Sequence, residues 1–213
     1  MKILQKAFNK HLVSKIIELG HKPAPEPDNE TSRIKDLEDL KIIEENIDKS
    51  KRFSSFPKLA ATLTECDKAA INIVDETTQH CKVNYGMDIM ENAMLKEIPR
   101  ELSVCAHVLN NNSESLVIND LTKDDRTKHV FELDNPIINK SFPKFYAGSP
   151  IITSNGYILG SFCVFNSKPK SLEVSKIEGL RMLADQFIDL YESTKEDYDR
   201  GDAASDQNVE KIN

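Results

Sequence analysis

Eight side chains of this 213-residue chain stand out for chemistry, and they fall in three stretches. SVCAHVL places Cys105 two residues before His107. NDLTKDDR carries Asp120 and Arg126, with Asp124 and Asp125 between them. KFYAGSPIITSNGYILGSFCVFN carries Lys144, Tyr146, Ser161 and Cys163. A thiol beside an imidazole suggests metal ligation or nucleophilic chemistry, arginine and lysine suggest an anion site, and aspartate, tyrosine and serine suggest hydrogen bonds to a ligand.

Most of these options narrow on spacing. If SVCAHVL is helical, residues two apart point about 200° from each other. Cys105 and His107 then cannot share a metal, and no other Cys or His cluster supplies the missing ligands, so no metal site is expected. Cys105 falls with Leu102, Val108 and Leu109 on the apolar side and reads as a buried structural thiol. His107 reads as surface or pocket edge. Cys163 alternates with Ser161 and Leu159 on one strand face, as core or as pocket wall. The Asp120–Arg126 cluster reads as a solvated loop held by local turn bonds, or as a pocket mouth where Arg126 or Lys144 meets an anionic group. Tyr146 either offers its phenol to a ligand or has it satisfied locally. No Ser-His-Asp arrangement, phosphate-cradling glycine loop or paired-carboxylate motif is present. The expectation is a non-enzyme whose cofactor, if it has one, the sequence does not identify.

Composition sets the outer limits. The net charge of −7 argues against nucleic acid, which needs a concentrated basic face. No run of about 20 apolar residues exists to span a membrane. The four cysteines form no CxxC pair and follow no regular spacing, which favours free thiols and a cytoplasmic location.

The elements that must position these residues follow from periodicity. Residues 1–20 form an amphipathic helix with lysines on its polar side; packing or dimerisation, a membrane surface, and a transit peptide are the competing readings. Residues 21–31 form a proline-rich linker. A helix is expected from Thr31 or Ser32, and another from Ser54 or Ser55, which would put Pro57 in its first turn. From there the period changes to two: Ala69–Asp75 and Gln79–Tyr85 read as strands around a turn at Glu76–Thr78. Leu95–Leu109 is mixed, with a short helix through ELSVCAHVL, and Ser115–Ile118 is a third strand. A long polar loop, Asn119–Pro143, has the character of a lid. Then comes a hairpin around Asn155-Gly156, where both turn positions call for positive φ. On its second strand Ile158, Gly160, Phe162 and Val164 share one side, while Tyr157, Leu159, Ser161, Cys163 and Phe165 share the other. An amphipathic helix follows from Leu172 to Tyr191, and residues 193–213 make an acidic tail expected to be unstructured. Gly148, Ser149, Gly160, Ser161 and Cys163 keep the hairpin slender, as if backbone or a small ligand approaches it.

In combination these pieces resemble a GAF domain, of the subgroup found in front of sensor histidine kinases and cyclic-di-nucleotide enzymes. The resemblance rests on SRIKDLEDLKI, FPKLAATL, AAINIVDE, IPRELSVCAHVL, VINDLTKDDR, DNPII, KFYAGSPI and NGYILGSFCVFNSKPKSL, which together span residues 32–192. It implies an α+β fold, a GAF/PAS-like antiparallel sheet with terminal helices on one face and cover segments over a pocket on the other. It also implies a sensory or regulatory module that binds a small molecule and signals through a homodimer seam of its terminal helices or through a protein partner. A degenerate scaffold that binds only protein is the alternative. One branch of the family reduces free methionine sulfoxide with cysteines, but its motif set differs from FYAGSP and SVCAH. Bilin-binding members present a Cys-His dipeptide, which this chain lacks. Two departures stand out: Lys144 occupies a position where the family commonly has arginine, and the loop between Arg126 and Asn135 is longer than usual.

Overall fold

In the computed structural model of the chain, the structure describes residues 11–45, 47, 51–133 and 142–210, with side chains from 196 onward set aside. Six strands form one sheet: β1 (Lys68–Val74), β2 (Thr78–Tyr85), β3 (Glu97–Pro99), β4 (Leu116–Ile118), β5 (Phe145–Ile152) and β6 (Ile158–Asn166). Their order is β3-β2-β1-β6-β5-β4, and every neighbouring pair is antiparallel. β1 and β6 are central and buried on both faces, which is why AAINIV and SFCV carry almost no exposed side chain.

One face carries helices. After α1 (residues 11–18), which packs on the opposite face, α2 (Glu30–Leu40) leads into α3 (Lys51–Thr64), and α6 (Val174–Glu210) lies beside α3. Ile71, Ile73, Phe145, Ala147, Phe162 and Val164 point from the sheet into this layer. Phe53 meets Phe187 edge-on at 5.6 Å and Tyr191 at 6.1 Å, so aromatic packing joins α3 to α6.

The other face is roofed by α4 (Ile89–Leu95), two 3-10 turns at Arg100–Leu102 and Cys105–Asn110, and α5 (Lys128–Phe131). α1 packs on this roof. Ile16 is buried against Val130, and Leu12, Leu102, Phe131 and Phe142 surround them. The linker crosses the roof as well, with Asn110 Nδ2 donating to the Pro25 carbonyl at 2.6 Å. A charged knot ties α2 to it. Arg33 is 1% exposed, holds Glu30 through two hydrogen bonds, and donates to the Val74 carbonyl. Arg100 reaches both Glu30 and the Asp75 carbonyl.

Several local expectations are corrected. α2 starts at Glu30 behind Asn29, one turn position ahead of Thr31. α3 starts at Lys51, so Pro57 sits inside the helix. The turn ahead of Pro57 is held by burial of Phe53 against α6, which offsets the lost backbone bond. The segment ELSVCAHVL forms 3-10 turns rather than one helix, and β3 was not expected. In the hairpin only Gly156 has positive φ, +84°; its N–H closes the turn onto Thr153, while the Asn155 amide donates to Asp36. A register shift at Ile151/Ile152 leaves Leu159 without a partner across the ladder. This turns Ile158 toward the roof and Leu159 toward the helices, the reverse of strict alternation.

α6 continues as helix to Glu210, through residues where an unstructured tail is expected. Propagating an existing helix costs far less than nucleating one, which lets it run on through Gly201 and four aspartates that are weak helix formers. The first half of the expected N-terminal helix and the Asp134–Pro136 punctuation of the lid loop lie outside the described residues.

Candidate functional site

On the roofed face, alternation brings Ala70, Asn72 and Val74 of β1 beside Tyr146 of β5 and Ser161, Cys163 and Phe165 of β6. The second 3-10 turn lowers Cys105 onto them. The Tyr146 hydroxyl donates to Cys105 Sγ at 3.4 Å and lies 2.9 Å from Ser161 Oγ. Asn72 Nδ2 donates to Cys105 Sγ at 3.4 Å and to Cys163 Sγ at 3.2 Å, and the two sulfurs are 3.9 Å apart. Every member is buried. Burial, with the two thiols alongside, pushes the Tyr146 phenol well up, so it remains a neutral donor. Burial opposes ionisation of Cys105, yet the donors from Cys163, Tyr146 and Asn72 outweigh it and bring that thiol below its ordinary value. Cys163 goes the other way, pushed up by burial and by its neighbour Cys105.

The slender hairpin residues have local reasons. A side chain at Gly148 would overlap Tyr146 Oη and Ser161 Oγ, and one at Gly160 would overlap the backbone of Asn72. Ser149 Oγ bonds Ser115 Oγ at 2.7 Å. The approach inferred from the sequence is thus made by the protein's own groups at these positions.

Space remains beside the cluster. A cavity of about 70 Å³ is bounded below by Asn72, Tyr146 and Phe165 and above by Leu102, Val104 and Cys105, with Gln79 and Leu121 at its sides. Such a volume admits several waters or a small organic group. Asn72 Oδ1 is buried and has no hydrogen-bond partner among the described residues, and an orphaned buried acceptor of this kind calls for a donor.

Of the eight candidates, Cys105, Tyr146, Ser161 and Cys163 come together. The other four do not join them. Asp120 accepts from Thr122 N–H and its hydroxyl, and pairs with Lys123. Those partners hold its carboxyl down to about 2. Arg126 grips Asp124 through two bonds of 2.8 and 2.7 Å. Both therefore follow the local-turn reading rather than the anion site. Lys144 stacks on the Phe131 ring, 4.4 Å from its centroid, outside the cavity. His107 is half-buried on the far side of the 3-10 turn from Cys105; burial first, then the Arg126 charge, lower it to about 4. Among the described residues no group of three or more His, Cys, Asp or Glu is arranged to hold a metal. Asn72 and Gln79 escaped sequence reasoning. A signal for Asn72 existed: it is the one polar side chain in AAINIV at a position that alternation buries.

The GAF domain family model matches residues 51–188, which contain the sheet, the roof and this cluster. The chain belongs to the GAF domain family. Among curated proteins, this GAF domain is 31% identical over 147 residues to a cyclic di-GMP phosphodiesterase of Pseudomonas aeruginosa; the match takes in 68% of this chain and 23% of that protein. Three solved structures share the fold at low identity. A domain of a two-component sensor histidine kinase protein from Sinorhizobium meliloti matches at 14% identity and TM-score 0.53, covering 70% of this chain and 95% of that one. The blue-light absorbing form of the PixJ GAF domain from Thermosynechococcus elongatus matches at 13% and 0.53, covering 78% and 95%. A type II free methionine-R-sulfoxide reductase from Thermoplasma acidophilum matches at 11% and 0.52, covering 67% and 91%. At such identities the likeness is one of fold, and the function of this GAF domain has to be argued from its site.

Proposed function

We propose that the chain is a cytoplasmic, non-catalytic sensory or regulatory GAF module that binds a small molecule in the roofed cavity. One observation carries this reading: a mostly apolar cavity whose floor holds a buried amide oxygen, Asn72 Oδ1, with no partner among the described residues. The chemistry that fits is a small, uncharged, largely apolar molecule with one hydrogen-bond donor. The output passes through self-association or a protein partner. Leu59 and Leu63 on α3 and Met182 on α6 are exposed large apolar side chains, and Leu63 lies against Gly179, one turn before Met182. That strip supports a seam formed by the helices. Among the described residues no helix is long and apolar enough to cross a membrane.

A protein-only scaffold has one observation in its favour: the slender hairpin positions are already occupied by Tyr146, Ser161 and neighbouring backbone. Native mass spectrometry of protein purified from its source separates the two readings. A retained molecule that raises the melting temperature when added back supports the sensor. A bare chain mass, with no thermal shift across a metabolite panel, leaves the scaffold.

A further inference from the structure

We propose that Cys105 and Cys163 are a peroxide-oxidisable dithiol, in which Cys105 reacts first and Cys163 resolves it to a disulfide. The two sulfurs are 3.9 Å apart, and nothing lies between them. They belong to different elements, a 3-10 turn of the roof and a central strand, so a bond between them would fasten roof to sheet.

Their surroundings are not equivalent. Cys105 lines the cavity, whereas Cys163 does not. The Cys105 sulfur accepts from the Tyr146 O–H and the Asn72 N–H, and such bonds strengthen when the acceptor is ionised, which favours the thiolate. Cys163 has a single S–H, shared between the Cys105 sulfur at 3.9 Å and the Ala70 carbonyl at 3.4 Å. Both thiols are buried, 2% and 0% exposed, so the oxidant must be small enough to enter the cavity. That selects hydrogen peroxide over a bulky disulfide such as oxidised glutathione. The orphaned Asn72 Oδ1 beside Cys105 offers an acceptor for one peroxide O–H.

The steps balance. The Cys105 thiolate attacks one peroxide oxygen; an S–O bond forms and the O–O bond breaks. The departing hydroxide takes up the proton the thiol released, giving water and a sulfenic acid. Cys163 sulfur then attacks the Cys105 sulfur, the S–S bond forms, and the S–O bond breaks. The second hydroxide leaves as water with the Cys163 proton. Peroxide gains two electrons and the thiol pair loses two. Closing the sulfurs to about 2 Å draws the 3-10 turn toward the sheet and moves a wall of the cavity. Oxidation thereby alters the same space as a bound ligand, through different atoms, and needs no ligand to occur.

The test uses the full reduced chain and hydrogen peroxide. After exposure the remaining thiols are alkylated in denaturant and the chain is digested with trypsin. Lysines between the two cysteines place them on separate peptides. The expected result is a Cys105–Cys163 cross-linked peptide, loss of two alkylatable thiols per chain, and reversal by dithiothreitol. In the Cys163→Ala chain a sulfenic acid is trapped at Cys105 by dimedone; in the Cys105→Ala chain Cys163 remains alkylatable. The proposal is overturned if Cys105 and Cys163 both stay alkylatable while Cys66 or Cys81 oxidises, or if Cys105 overoxidises without a cross-link. The wild-type result decides the matter even if neither variant folds.

Discussion

The Tyr146 hydroxyl occupies the space above Gly148 that a side chain there would need. The two residues are separated by one position on β5 and face the same side of the sheet, so the glycine and the phenol form one packing unit. Gly148→Ala should cost about 1–3 kcal/mol through overpacking, and Tyr146→Phe about 1 kcal/mol through its lost hydrogen bonds. The double variant should lose less than the sum, because removing the hydroxyl relieves part of the overlap; Ser161 Oγ and the ring carbon still oppose the methyl. Urea unfolding of the four chains measures this. Strict additivity would mean that the glycine serves some other purpose.

Glu30 is held at about 2, below its usual 4.5, because hydrogen bonds and charges from Arg33 and Arg100 overcome the opposing effect of burial. A carboxylate whose folded value is depressed contributes stability in full above its unfolded value and loses it as pH falls through the folded one. The window here runs from about pH 4.5 down to about 2. Glu30→Gln should therefore cost about 2–3 kcal/mol at pH 7, since two buried guanidinium groups lose their counter-charge. It should also flatten the stability profile within that window. Chemical denaturation of both chains at pH 7, 4 and 2.5 is the check.

Short apolar runs between turn signals made the central strands readable, since AAINIV and the FYAGSP strand bury nearly every position, whereas the short edge strand β3 went unread. What stayed hidden was set by interactions distant in sequence. Pro57 is tolerated inside α3 because Phe53 is buried against Phe187, 134 positions onward, a contact that local propensity cannot express. The bulge at Leu159 exchanges the faces of two side chains, and nothing in TSNGYILG announces it. Asp120 and Arg126 satisfy themselves within two or three residues, which is the local-turn reading that NDLTKDDR already offered. Cys105, Tyr146, Ser161 and Cys163 converge because strand pairing aligns β5 with β6 and the roof descends on them. Only folding brings Cys105 of the roof and Cys163 of β6 to the one polar side chain in AAINIV, Asn72.

That residue separates stability from function. Asn72→Leu keeps the number and branching of heavy atoms, with the adjoining cavity to take its bulkier methyl groups, removes a donor to two weak sulfur acceptors and eliminates the unpaired Oδ1. Exchanging a partly satisfied buried polar group for an apolar one of similar shape is close to neutral, so stability should change by less than about 1 kcal/mol. Occupancy by any cavity ligand should collapse, read as loss of the thermal shift. A large loss of stability instead would identify Asn72 as a structural pin of the roof.

His107 supplies a second pH dependence with a different window. Its ring is half-buried, and Arg126 and His21 face it with like charge while Asp124 only partly compensates, so its value falls from 6.5 to about 4. The unfolded chain takes up the proton first as the solution is acidified. His107 therefore contributes its full share of stability above about pH 6.5, loses it progressively down to about pH 4, and changes nothing below that. Allowing for the water that reaches part of the ring, the loss is on the order of 1–2 kcal/mol. Glu30 adds nothing between pH 7 and 5, because its window begins below 4.5, and the difference between the wild type and His107→Gln isolates the ring. Urea midpoints of the wild type should fall across that interval, while those of His107→Gln should fall less. Equal declines in the two chains would show that the ring titrates as freely in the folded protein as in the unfolded chain.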